Sequence, residues 1–275
     1  MGRNKILRDK KEEIVGLYYS GLSLSEIASR YNVGASTINC ILKECGVCLR
    51  KRKYSLNENY FDIIDTQNKA YILGLLYADG CNHIDGNTVS ISLQEEDRYI
   101  LDKINSEIGS NRPLLFIDYK KKNNNYKNQY RLFIASKYIC NVLNNYGMCK
   151  AKSLVLNFPE CLTEEFYPHF IRGYFDGDGC VYYDKKRNKY HVQILGTKQF
   201  CQKLSELLCV IDCKHHITHA KHHNENTIVL EMCGNKSSFK FLSWIYQDAE
   251  MYLTRKYSKY ISLNKMYNEN NTHVA

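Results

Sequence analysis

No stretch of the sequence approaches 18 consecutive apolar residues, so no membrane-spanning helix and no membrane partner are expected. The opening residues MGRNKILRDKKEE carry charge but no apolar middle, which argues against a secretory leader. Ile6 stands where a myristoylation signal needs Ser or Thr. The protein is therefore expected inside the cell, and its 12 cysteines are expected as thiols rather than disulfides. Proline is scarce, at 3 in 275 residues, in a chain rich in Asn, Lys, Ile and Tyr. That pattern fits an AT-rich coding sequence and carries no functional information.

Acidic residues are short in one region. The formal net charge is +9, and residues 1–53 hold 11 Lys and Arg against 5 Asp and Glu. The remaining residues are nearly balanced, with 27 against 24. A basic N-terminal segment points to nucleic acid or an acidic surface as partner. The length allows one to three domains.

One stretch occurs twice. AYILGLLYADGC (70–81) and HFIRGYFDGDGC (169–180) align at a constant offset of 99, with Gly74 on Gly173, Ala78 on Gly177, Asp79 on Asp178 and Gly80 on Gly179. Each copy reads as a helix with one very small face, because residues four apart share a face. Glycine inside a helix costs about 1 kcal/mol against alanine, so two glycine-bearing helices of this kind predict close packing of their backbones. Gly80 and Gly179 fall where a left-handed C-terminal cap is expected. Asp79 and Asp178 end their helices, where the macrodipole disfavours a carboxylate. If the small faces pack together, the two acids meet at one end, and a divalent cation would offset both penalties. Mg²⁺ prefers oxygen ligands, and paired carboxylates beside a phosphodiester suit metal-assisted hydrolysis. A calcium loop is the alternative for DGDG, but Cys180 stands where the EF-hand pattern needs an oxygen ligand.

ILGLLYADG (72–80) and IRGYFDGDG (171–179) resemble the paired motifs of the LAGLIDADG homing endonucleases, and GMCKAKSLVLNFP (147–159) resembles the join between the halves of their single-chain members. The resemblance covers about residues 54–262. It departs from the family at Tyr77, where the motif's first acid is usual, and in the bulky Tyr71 and Tyr174. It implies that Asp79 and Asp178 bind Mg²⁺, with Mn²⁺ able to substitute, aided by the carbonyls of Ala78 and Gly177. It also implies a basic residue from each half near the metals, carried here to Lys152 and Lys256. The activity implied is a monomeric, site-specific cut of both DNA strands at a long asymmetric site, leaving short 3′ overhangs, as in intron homing.

Along the chain, residues 1–48 read as a helix-turn-helix domain, with helices at about 10–20, SLSEIASRY and ASTINCILKE. This domain resembles the small DNA-binding domains of resolvase-like recombinases. Its second motif helix would present Ser36, Thr37, Asn39, Cys40 and Lys43 to the major groove. Residues 49–57 form a basic linker whose Arg50, Lys51, Arg52 and Lys53 suit a phosphate backbone or minor groove. Residues 58–153 and 154–264 each read as an αββαββα half, giving an α+β fold of two pseudo-symmetric halves packed through the motif helices. Residues 265–275 read as a frayed tail.

In the strand NTVSISLQ, Val89, Ile91 and Leu93 face the core while Ser90, Ser92 and Gln94 face out. His191 and Gln193 face out on the second half's hairpin. With Arg131, these outward residues are the expected contacts to DNA base edges. Cys45 and Cys48 have zinc-like spacing without a second pair. Cys209, Cys213, His215, His216, His219, His222 and His223 form a denser group, read as thiols and a polar hairpin rather than a zinc site. Two rival functions share the scaffold, an RNA maturase and a non-cleaving DNA-binding regulator. A calcium-binding interaction protein is a third. Self-excision as an intein is not expected, since the sequence ends THVA without the His-Asn terminus that reaction needs.

Overall fold

The structure, a computed structural model, describes residues 9–49, 53–149, 152, 155–220 and 225–272. It divides into two compact units, 1–53 and 54–275.

The first unit contains α1 (Lys11–Tyr19), α2 (Leu24–Tyr31) and α3 (Ala35–Glu44). Ser23 starts α2 through a reciprocal capping box with Glu26, and Asn32 ends it in the left-handed conformation at φ 53°. Ile14, Ile27, Ile38 and Leu42 are fully buried where the three helices meet. The helices expected from the sequence are thus present.

The larger unit starts with α4 (Gln67–Asp79), whose last residue leads straight into β1 (Gly80–His83). There follow β2 (Thr88–Gln94), α5 (Arg98–Glu107), β3 (Leu115–Ile117), β4 (Gln129–Ala135) and α6 (Lys137–Asn145). The second half repeats this as α7 (Tyr167–Asp178), β5 (Gly179–Asp184), β6 (Lys189–Thr197), α8 (Lys198–Val210), β7 (His216–His219), β8 (Thr227–Cys233) and α9 (Asn235–Tyr246). Each half has a four-stranded antiparallel sheet, ordered β1-β2-β4-β3 and β5-β6-β8-β7. Val89, Ile91 and Leu93 are buried on the inner face of the first sheet, and Val192, Ile194 and Leu230 on that of the second. One face of each sheet is thus sealed by helices, and the other carries the alternate residues. One hydrophobic core runs through both halves, with α4 and α7 within it.

The ends of the larger unit differ from the sequence reading. A helix, α10, runs from Thr254 to Thr272 through the expected tail. It is anchored by fully buried Leu263 and by Tyr267, whose ring stacks on Phe239 at 4.1 Å. Part of the expected linker is fastened to the body: Ser55 N–H donates to Asn111 Oδ1 at 2.8 Å and Asn57 N–H to the Ile108 carbonyl at 2.8 Å. Arg50, Lys51 and Arg52 lie outside the described residues. The strand expected across PLLFIDYK is only three residues long.

Candidate active site

Two helices carry the site, and their sequences bring them into backbone contact. A Cβ on Gly74 would stand 2.0 Å from the Phe170 carbonyl oxygen, and one on Gly173 would stand 2.0 Å from that of Tyr71. Only glycine fits at either position. A Cβ on Gly177 would meet the Ala78 methyl at 2.3 Å and Asp79 Oδ2 at 3.0 Å. The small faces therefore meet as the spacing predicts, and Gly177 keeps clear the space beside the Asp79 carboxylate.

Gly80 and Gly179 do not form left-handed caps. Their φ values are −76° and −95°, because each is the first residue of a strand. Steric room explains them instead. A Cβ on Gly80 would lie 2.5 Å from the Leu76 carbonyl oxygen, and one on Gly179 would strike the Phe175 ring at 2.1 Å.

Asp79 and Asp178 thus end adjacent helices with their side chains reaching solvent. Crowding by surrounding protein raises the Asp79 carboxyl to about 6, and the charge of Asp178 adds to the rise. Asp178 is raised by the same crowding, against the pull of Lys152, Lys256 and the Tyr174 hydroxyl. Two carboxylates that resist carrying charge together are a donor set a hard cation would satisfy.

Both expected lysines are at the site and almost fully covered, at 7% exposure for Lys152 and 5% for Lys256. Lys152 Nζ donates to the Ala78 carbonyl at 2.8 Å. Lys256 Nζ donates to the Asp176 carbonyl at 2.8 Å and also to those of Phe175 and Gly179. Burial lowers both amines, that of Lys256 to about 8. Each half therefore supplies one acid and one lysine. The Ala78 carbonyl already accepts from Lys152, but a carbonyl oxygen has two lone pairs and can accept again.

Behind this group lie buried residues the sequence reading did not single out. Asp176 accepts from Tyr71 Oη at 2.8 Å and Leu253 N at 2.7 Å, and its carboxyl is raised to about 6 by complete burial. Arg172, also fully buried, donates to the carbonyls of Ile245 at 2.7 Å and Met251 at 2.8 Å. At the position matching Asp176 in the first half, Tyr77 donates instead to the Tyr146 carbonyl. A charge inside a helical apolar run was the signal available for Asp176 and Arg172.

The outer sheet faces hold the other expected residues. Ser90 is on the outer face but covered, at 6% exposure, and bonds to His83 at 3.1 Å; Arg131 donates to Ser92 at 2.7 Å, and Gln94 accepts from Lys127 at 2.9 Å. His191 differs from expectation. It does lie opposite the core face, but it is covered by the stacked ring of Tyr182 and by Glu231. Gln193 pairs in register with Cys180 and Glu231 on the same face. On α3, Ser36, Cys40 and Lys43 are exposed, whereas Thr37 and Asn39 are half-buried. Lys53 is exposed at the boundary between the two units. Among the described residues of the Cys/His group, Cys213 is buried, His215 turns to Ser205 at 2.6 Å, and His216 turns to Glu231 at 3.4 Å. His222 and His223 lie outside the described residues.

The larger unit has the two-half LAGLIDADG fold. Residues 165–246 match the family model described as a LAGLIDADG-like domain. Among solved structures, the body has the fold of the LAGLIDADG homing endonuclease I-GzeII in complex with its DNA target, at TM-score 0.51 and 12% identity, covering 75% of this chain and 92% of that one. A mutant of I-SmaMI matches at TM-score 0.50 and 12% identity, covering 75% and 93%. A curated relative is the DNA-directed RNA polymerase subunit Rpo1C of Methanocaldococcus jannaschii, 29% identical over 116 residues. That match covers 42% of this chain and only 13% of the relative's length. No helix among the described residues is long and apolar enough to cross a membrane.

Proposed function

We propose that the chain is a metal-dependent, site-specific DNA endonuclease that hydrolyses phosphodiester bonds in both strands of a long asymmetric site, as a monomer. The observation that carries this reading is the meeting of Asp79 and Asp178 at the ends of two helices in backbone contact, each half adding a covered lysine.

Asp79 and Asp178 would hold Mg²⁺, or Mn²⁺ in its place, with the carbonyls of Ala78 and Gly177 beside them. The bound ion supplies Lewis-acid stabilisation of the phosphate and an attacking water of lowered pKa. Lys152 and Lys256 offset the negative charge that grows on the phosphate in the transition state. Their anchoring on backbone carbonyls fixes both amines before substrate arrives. Gly177 keeps the approach to Asp79 open.

The outer face of the first sheet suits duplex DNA. Arg131 and Arg112 lie over the Phe133 ring at 5.9 and 5.1 Å, and Ser92 and Gln94 offer hydrogen bonds to base edges, as Gln193 does from the second sheet. Ser36, Thr37, Asn39 and Lys43 of α3 would extend the footprint, and Arg50, Lys51, Arg52 and Lys53 would follow the backbone.

The test is a cleavage assay on a DNA library, with Mg²⁺ and with Ca²⁺. Cuts that require Mg²⁺ and vanish in Asp79→Asn support the reading, and sequencing the ends yields the site. Tight binding without cuts in either metal contradicts it, and leaves the maturase or the non-cleaving regulator.

A further inference from the structure

The outer face of the second sheet carries a group of side chains that cleavage does not use. The strand register sets His191 opposite Cys233, and sets both Gln193 and His216 opposite Glu231. Directly paired residues share a sheet face, so these side chains converge. One ligand atom from each of His191, Glu231 and Cys233 lies within 4.8 Å of the other two. His191 Nδ1 is 3.1 Å from Glu231 Oε1, and His216 Nε2 is 3.4 Å from Glu231 Oε2. Cys233 Sγ is 4.0 Å from His216 Nδ1.

The site has one fixed wall and one open one. His191 is 9% exposed, and the Tyr182 ring stacks on it at 4.9 Å with an interplanar angle of 3°. Its Nε2 is buried without a hydrogen-bond partner. Cys233 and His216 are exposed, which gives an ion from solvent a way in.

We propose that His191, Glu231, Cys233 and His216 form a binding site for one thiophilic divalent transition metal ion, zinc foremost. The ligand types decide the metal. Thiolate and imidazole select zinc, whereas the oxygens at Asp79 and Asp178 suit Mg²⁺. Bond lengths of about 2.0–2.3 Å place tetrahedral ligands about 3.3–3.8 Å apart, so His191, Glu231 and Cys233 must contract by about 1.5 Å at most, and His216 must turn to offer one ring nitrogen. Binding forms a metal–sulfur bond and releases the Cys233 proton to solvent. Partial loss of water, and then the neighbouring Glu231, hold that thiol protonated, up to about 11, and a cation beside the sulfur reverses the balance.

The site would give the sheet an added fastening. β7 is a four-residue edge strand with every residue exposed. A metal held by His216 would tie it to β8 and β6. It would also remove His191 from contact with DNA bases. The sequence group 209–223 contributes only His216, which is why spacing alone did not find the site.

The test uses the full chain, titrated with Co²⁺ as a spectroscopic substitute and then with Zn²⁺. One equivalent of Co²⁺ should give tetrahedral ligand-field absorption and a thiolate-to-cobalt charge-transfer band, and one equivalent of Zn²⁺ should bleach both. Cys233→Ser should abolish the charge-transfer band, and His216→Ala should weaken binding at least tenfold. Cys48→Ser and Cys209→Ser should leave the spectrum unchanged. Circular dichroism checks that each variant is folded. If Cys233→Ser is not, His216→Ala, altered at an exposed side chain, carries the test. Absence of a tetrahedral spectrum overturns the proposal, as does a spectrum that persists unaltered in Cys233→Ser or binding that is unaltered in His216→Ala.

Discussion

Gly74 and Gly173 exchange the same contact. A side-chain carbon on Gly74 would meet the Phe170 carbonyl, and one on Gly173 would meet the Tyr71 carbonyl, each at 2.0 Å. Tyr71 and Phe170 are themselves separated by the repeat offset of 99. The two helices are thus held by a pair of reciprocal contacts about a local two-fold axis, and that pairing brings Asp79 and Asp178 to one place.

Filling either contact should split the pair. Gly173→Val should destabilise the larger unit by about 3 kcal/mol or more, beyond ordinary overpacking, because the obstacle is backbone. Gly16→Ala in α1 meets nothing within 4 Å and should stabilise the first unit by about 0.5–1 kcal/mol. Urea denaturation midpoints measure both. An unchanged midpoint for Gly173→Val would show that the helices are not in backbone contact.

The two lysines should separate by stability. Lys152→Met and Lys256→Met should each lower single-turnover cleavage about 10²–10³-fold while DNA affinity holds. Lys256→Met should also lower the melting temperature more, since its amine serves three carbonyls and that of Lys152 serves one among the described residues. Equal melting temperatures would remove the structural share assigned to Lys256.

Arg172 should be a stability residue. Arg172→Met leaves the Ile245 and Met251 carbonyls and the Asp176 carboxyl without its donors or charge, at a cost of about 3–5 kcal/mol. Calorimetric unfolding of the variant measures this. A loss under about 1 kcal/mol would show that water or neighbouring groups replace the guanidinium.

His169 should contribute an acid-sensitive part of stability. Burial, and then the Arg172 guanidinium 2.8 Å away, lower its imidazole to about 4 from 6.5. Between those values the unfolded chain binds a proton that the folded chain refuses. Its contribution is therefore full above 6.5 and falls as pH drops toward 4. Asp79 and Asp176, raised to about 6, act in the opposite sense, so the comparison is with a variant. His169→Gln should lose less stability than wild type between pH 6.5 and 4. Parallel curves of denaturation midpoint against pH would contradict this.

Periodicity made much of this legible. The repeat located both motif helices and both acids, and alternation in NTVSISLQ located a strand and its inner face. Features that depend on partners distant in sequence were not legible. Gly80 and Gly179 sit at helix ends as caps do, and only the packing shows that they make room. The helix through Thr272 has polar composition and is fixed by tertiary contacts of Leu263 and Tyr267. Likewise, His191 alternates outward on its strand, but Tyr182 from the neighbouring strand covers it.

The most direct measurement is cleavage by Asp178→Asn on a site selected with the wild-type protein, with DNA binding measured alongside. The account predicts that cutting in Mg²⁺ is abolished while binding is retained. Full cutting by this variant would contradict the assignment of the two helix-end aspartates as the metal-binding, catalytic pair.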